Sequence, residues 1–293
     1  MYMRKIGFIL SLLLATLVIS SFISVEKDMR AYVIYDSSGK EVSYEKMMKS
    51  IHGSDVVLIG ELHNNPISHW IQLEVTQSLY EKEQKNLVLG AEMFESDNQL
   101  ILNEYLTGAI KEDNFKKEVK LWPNYDTDYK PLVEYAKSNK LDFIATNTPR
   151  RYASIVYNRG FSALDSLTDE AKKYIAPIPI KYDPEVGCYK KMKEMMGGHG
   201  GLNLPKAQAI KDATMAHFIL QNWNKDRCFV HYNGAYHSDY HEGIAYYLQQ
   251  NNGELKTQTI TTVLQDDVSY LFKDNKNKAD FIICVNADMT TTH

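Results

Sequence analysis

The chain is poor in cysteine, and the few it has are unpaired. Cys188, Cys228 and Cys284 are the only three in 293 residues, and none shows the Cys-x-x-Cys spacing of a thiolate zinc ribbon or an iron–sulfur site, so both are excluded. At most one disulfide could form. Cys228 and Cys284 stand in apolar, strand-like runs, where a thiol acts as a small hydrophobic group. An excess of one charge sign is also missing. The 33 basic and 37 acidic residues are interspersed and leave a net charge of −4, which argues against a nucleic-acid partner. There is no repeat of fixed period and no low-complexity tract. No cysteine follows the N-terminal apolar run, which excludes a bacterial lipid-modified N-terminus.

That apolar run, Ile6 to Ile23, follows Arg4 and Lys5, the layout of an export signal. Residues 1–25 are therefore expected to be an export signal or, since the run is near the shortest membrane span, an uncleaved N-terminal anchor. The body is expected in the periplasm or cell envelope. With 44% apolar residues, it is expected to form one globular domain over 26–293. Tyrosine is frequent, at 20 residues. Such a content suits either an amphipathic surface or the stacking and ligation of a planar ligand.

Apolar runs of strand length alternate with helical stretches. Val56-Val57-Leu58-Ile59, Leu87-Val88-Leu89, Leu141 to Thr146, Cys228 to Tyr232, residues 257–264 and Phe281 to Val285 read as strands, with helices between them. The pattern predicts an α/β fold with a mainly parallel or mixed central sheet flanked by helices. Between about 160 and 205 the pattern loosens around Pro177, Pro179 and Pro184. This stretch reads as a helical insertion or lid.

Four of these strands end in polar clusters: Glu61/His63, Glu92/Glu95, Arg150/Arg151 and His237/Asp239. In a parallel sheet all four lie along the carboxyl edge, where open α/β sheets carry their sites. Gly60-Glu61-Leu62-His63 and Gly234-Ala235-Tyr236-His237 share a Gly-x-x-His form. Glu61, His63, Glu92 and His237 could hold a divalent metal and supply a general base, the chemistry of a metal-dependent hydrolase of esterase or peptidase type. His69, one and a half helical turns beyond His63, reads as a surface residue, and Asp212 as a solvated charge. Arg150 and Arg151 open a helix and suit a carboxylate or a phosphate, or else pair internally with Glu61 or Glu92.

The blocks Gly60 to Trp70, Gly90 to Glu95, Asn147 to Arg151 and Lys211 to Ala216 resemble the ChaN-like haem-binding uptake family, within the Tiki/TraB/erythromycin-esterase-like superfamily. The resemblance covers about 50–240. It implies an exported α/β protein that binds haem in iron uptake, with tyrosine ligation, a haem-linked homodimer and other envelope uptake components as partners. Members are often lipoproteins, and this chain departs from them in lacking the attachment cysteine. On that reading Tyr236 and then Tyr240 are candidate iron ligands, Arg150 or Arg151 would meet the propionates, and His199, in the Met- and Gly-rich stretch 192–201, is a further candidate ligand.

Overall fold

The computed structural model describes residues 29–195 and 203–293. Residues 1–25, expected to be an export signal or anchor, and His199 lie outside the described residues. Ala31–His293 forms one unit, and its frame is a seven-stranded sheet. The strands are β1 (Tyr32–Asp36), β2 (Val56–Glu61), β3 (Leu87–Glu95), β4 (Asp142–Asn147), β5 (Cys228–Gly234), β6 (Thr257–Gln265) and β7 (Phe281–Asn286), in the order β1-β7-β6-β2-β5-β3-β4. Six run parallel, and only the edge strand β1 is antiparallel, to β7.

The central strands are buried along their whole length, which is why they read as continuous Val, Ile and Leu runs rather than alternating ones. Alternate residues feed two cores. Val57, Ile59, Leu89 and Val230 face the layer that contains the Tyr44–Ile51, Pro66–Glu83, Gln99–Leu106 and Lys130–Asn139 helices. Val56, Leu58, Val88 and Phe229 face the Arg150–Arg159, Leu204–Asn222 and Ile244–Asn251 helices. The loosely patterned stretch after 160 packs on this second face through Leu164, Ile175, Ile180 and Tyr189.

Chain order explains the location of the site. β2 connects to β3 across a gap, and β5 later fills it, pairing with β2 on one side and β3 on the other. The second Gly-x-x-His segment is thereby inserted between the ends that carry Glu61 and Glu92.

Candidate functional site

Gly234 stands opposite Glu61 in the β2–β5 register, and its N–H donates to Glu92 Oε2 at 2.8 Å. A methyl group here would stand 2.7 Å from His63 Cε1, so glycine is required for the ring to lie over the strand end. Gly60 has a similar role: a Cβ would meet the Ala235 backbone at 2.9 Å.

Two buried histidines each bridge a pair of carboxylates. His237 Nε2 is 3.1 Å from Glu92 Oε1, and its Nδ1 is 2.5 Å from Asp212 Oδ1. Tyr189 donates to the other Asp212 oxygen at 2.8 Å. Burial works against charge on the His237 ring, but Glu92 and then Asp212 outweigh it and push its pKa up to about 10. Burial would raise Glu92, yet the His237 cation and the Gly234 N–H hold it well below the carboxylate range. Asp212 stays above its ordinary value because its own burial outweighs the pull of His237.

The second bridge is His69. Its Nε2 is 3.1 Å from the His63 carbonyl and 3.5 Å from Asp128 Oδ2. Its Nδ1 is 3.1 Å from Gln72 Oε1 and 3.7 Å from Glu61 Oε2. Gln72 cannot be turned round, because its amide donates to Glu61 Oε2 at 2.6 Å. Both nitrogens of His69 therefore face acceptors. A π-helical turn, Tyr125–Tyr129, presents Asp128 and Tyr129 together, and the Tyr129 hydroxyl donates to Glu61 Oε1 at 2.7 Å.

His63 differs from both. Its side chain is 47% exposed, its Nδ1 is 3.0 Å from Glu61 Oε1, and its ring meets Trp122 edge to face. Burial lowers its basicity, but the bond to Glu61 and the nearby Glu92 raise it above the ordinary value. With Nδ1–H donated to Glu61, the lone pair lies on Nε2, on the side of Gly234. Glu61, His63, Gln208, Tyr236, His237 and His293 help line an open cleft of about 600 Å³ here.

The structure thus gathers Glu61, His63, Glu92 and His237 at one edge, as the strand ends imply. His69 corrects the surface reading: it is 6% exposed, because the helix turns it under β2 rather than outward. Asp212 is likewise not solvated but 1% exposed, since its helix packs that face on the sheet. The arginines do not reach Glu61 or Glu92. Arg151 pairs with Asp97 at 2.6 Å and lies over the Tyr152 ring, while Arg150 lies 3.9 Å from Glu95. Tyr236 lines the cleft and donates its hydroxyl to the Cys188 carbonyl at 2.5 Å. Tyr240 lies under Lys191, outside that lining.

Among the described residues no group of three or more His, Cys, Asp or Glu side chains is arranged to hold a metal ion. The local chemistry agrees, since both nitrogens of His237 are taken by carboxylates. No helix among the described residues is long and apolar enough to cross a membrane.

The fold has known relatives. A solved structure of ChaN from Campylobacter jejuni, described as binding haem cofacially, superposes with a TM-score of 0.62 over 88% of this chain and 98% of that one, at 22% identity. An erythromycin esterase, EreC, superposes at 0.46 over 80% of this chain and 77% of the other, at 12% identity, too distant to bear on function. Protein RETICULATA-RELATED 5, chloroplastic, from Arabidopsis thaliana is 23% identical over 85% of this chain, which spans only 37% of that protein's length. The family described as haem-binding uptake, Tiki superfamily, ChaN, matches residues 47–248, and the chain belongs to it.

Proposed function

We propose that this protein binds haem at the carboxyl-edge cleft between β2 and β5 and serves haem or iron uptake in the cell envelope. The observation that carries this reading is the family match together with a cleft that has an aromatic and imidazole lining. Haem supplies a ferric centre that takes one or two protein ligands, a wide apolar face and two carboxylates.

The residues present fit such a group, at a cost. Tyr236 is the first candidate ligand because it lines the cleft. Its phenol is pushed up to about 12, by burial first and then by nearby Cys188, Asp212 and Glu242. Ligation as tyrosinate therefore releases a proton and requires the hydroxyl to leave the Cys188 carbonyl. Tyr240 is the second candidate. The Arg150 side chain, 63% exposed, meets Glu95 only at 3.9 Å while the backbone N–H of Arg150 donates to Glu95 at 3.0 Å, so its guanidinium can turn to a propionate, whereas Arg151 would first have to release Asp97. A second copy of the chain, joined in the loaded state, is the partner this reading carries. No observation favours the metal-dependent hydrolase over it.

Titration with haem, followed in the Soret band, tests the proposal. Saturable binding with a shifted band, weakened in Tyr236→Phe and accompanied by proton release, supports it. Micromolar or weaker binding with no shift rejects it.

A further inference from the structure

After β7 the chain does not leave the sheet. Ala287 N–H donates to the Gln265 carbonyl at the end of β6, and Met289 packs against the main core. The segment then reaches β2, two strands from its origin, a lateral distance of about 10 Å that a few residues span easily. There Thr292 makes two bonds at the site. Its N–H donates to the Asn64 carbonyl at 2.9 Å, and its hydroxyl donates to Asp128 Oδ2 at 2.6 Å. His293 follows and lines the cleft.

Asp128 is 3% exposed, so each donor it receives matters. The same oxygen takes Asn124 Nδ2 at 2.6 Å and lies 3.5 Å from His69 Nε2. Both of those groups also donate to the His63 carbonyl, at 2.6 Å and 3.1 Å. We infer that the Ala287–His293 segment is a strap across the carboxyl edge whose Thr292 hydroxyl positions His63, acting through Asp128 and the two donors that Asp128 and the His63 carbonyl share. The chain from β7 is thereby tied to the backbone that aims the half-exposed His63 imidazole. The inference concerns the same cleft as the haem proposal and rests on that reading only for its consequence in binding.

The test compares Thr292→Val, which keeps shape and removes the hydroxyl, with Thr292→Ser, which restores it. The His63 ring NMR signal in the haem-free protein is the direct readout. It is expected to shift and broaden in Thr292→Val, to return in Thr292→Ser, and to shift likewise in a chain ending at Asp288. Haem binding is expected to weaken about tenfold in Thr292→Val, the factor for one lost hydrogen bond to a buried carboxylate, and to recover in Thr292→Ser. Circular dichroism confirms that each variant is folded; a Thr292→Val that fails to fold is replaced by Thr292→Ala with the same readouts. An unmoved His63 signal in the folded hydroxyl-free variant overturns the inference, as does a serine variant that fails to restore it. If wild-type protein does not bind haem but the His63 signal responds as stated, the strap stands and the haem reading falls.

Discussion

Gly234→Ala separates the geometry of the site from the stability of the fold. Gly234 has φ −58° and ψ 140°, which any residue adopts, so the substitution adds no backbone strain and lowers unfolded-state entropy by about 0.4–1 kcal/mol. Against this stands the new methyl group, 2.7 Å from His63 Cε1 and 3.0 Å from Nε2. Overpacking in a rigid core costs about 1–3 kcal/mol, and the lower end applies because the half-exposed His63 ring can swing outward. That movement breaks the Nδ1–Glu61 bond, which at this exposure is worth about 1 kcal/mol. Glu61 keeps Tyr129 and Gln72 as donors. The net loss in urea unfolding is thus expected to stay below about 2 kcal/mol. The His63 titration midpoint should fall back toward that of a free imidazole, and haem binding should weaken. A His63 that titrates as in wild type, or a loss above about 4 kcal/mol, would refute the reasoning, the first because the ring never lay over Gly234 and the second because it could not move.

Three further outcomes follow from the charged pairs. His237 titrates near 10 in the fold against 6.5 when free, so its stabilisation is complete below pH 6.5 and is lost as pH rises toward 10. Glu92 has the opposite sign, stabilising above its free value of 4.5 and losing that contribution as pH falls. Urea midpoints should therefore hold from about pH 4.5 to 6.5 and decline above, with the alkaline decline flattened in His237→Gln. Asp212→Asn removes one of the two carboxylates around a buried cation and should cost about 3–5 kcal/mol in the same assay. Arg151→Ala breaks only a partly exposed pair, and its urea midpoint should change by no more than about 1 kcal/mol; a larger loss would mean that the pair is shielded from solvent.

The strands and their polar ends were legible because a sheet covered on both faces demands unbroken apolar runs, and Gly60 and Gly234 mark where those runs stop. The two carboxylate–imidazole–carboxylate bridges were not. Each takes its middle or outer member from a helix, where a buried polar residue looks like a solvated one unless its whole face is considered. Signals did exist. His69, Gln72 and Thr76 form a row along one face of their helix, and all three are buried. Asp212 has Ala209, Ile210, Ala213 and Ala216 around it, a setting of small and apolar residues that a solvent-facing carboxylate has no need of. Asn124, Asp128 and Tyr129 come from a stretch without helical or strand periodicity, and their π-helical turn has no pattern to read.

His63, His69 and His237 divide the work at this edge by how many of their nitrogens are used. His69 and His237 have both engaged and are closed to any ligand; His69 ties Gln72 to the His63 carbonyl, and the His237 cation lets Glu92 and Asp212 sit buried side by side. Of the three, only His63 has a nitrogen toward the cleft, and the groups that immobilise it act on its other side: Glu61 on the ring, Asn124 and His69 on the carbonyl. A network needed only for stability would gain nothing from holding a half-exposed ring so firmly, because that ring buries little surface. The arrangement is explained if the exposed nitrogen must meet something in a defined place. A variant such as His63→Gln, which keeps the bulk but loses the imidazole, should then lose ligand binding while unfolding within about 1 kcal/mol of wild type. Equal ligand affinity in the two proteins would leave the rigid placement of His63 without a purpose.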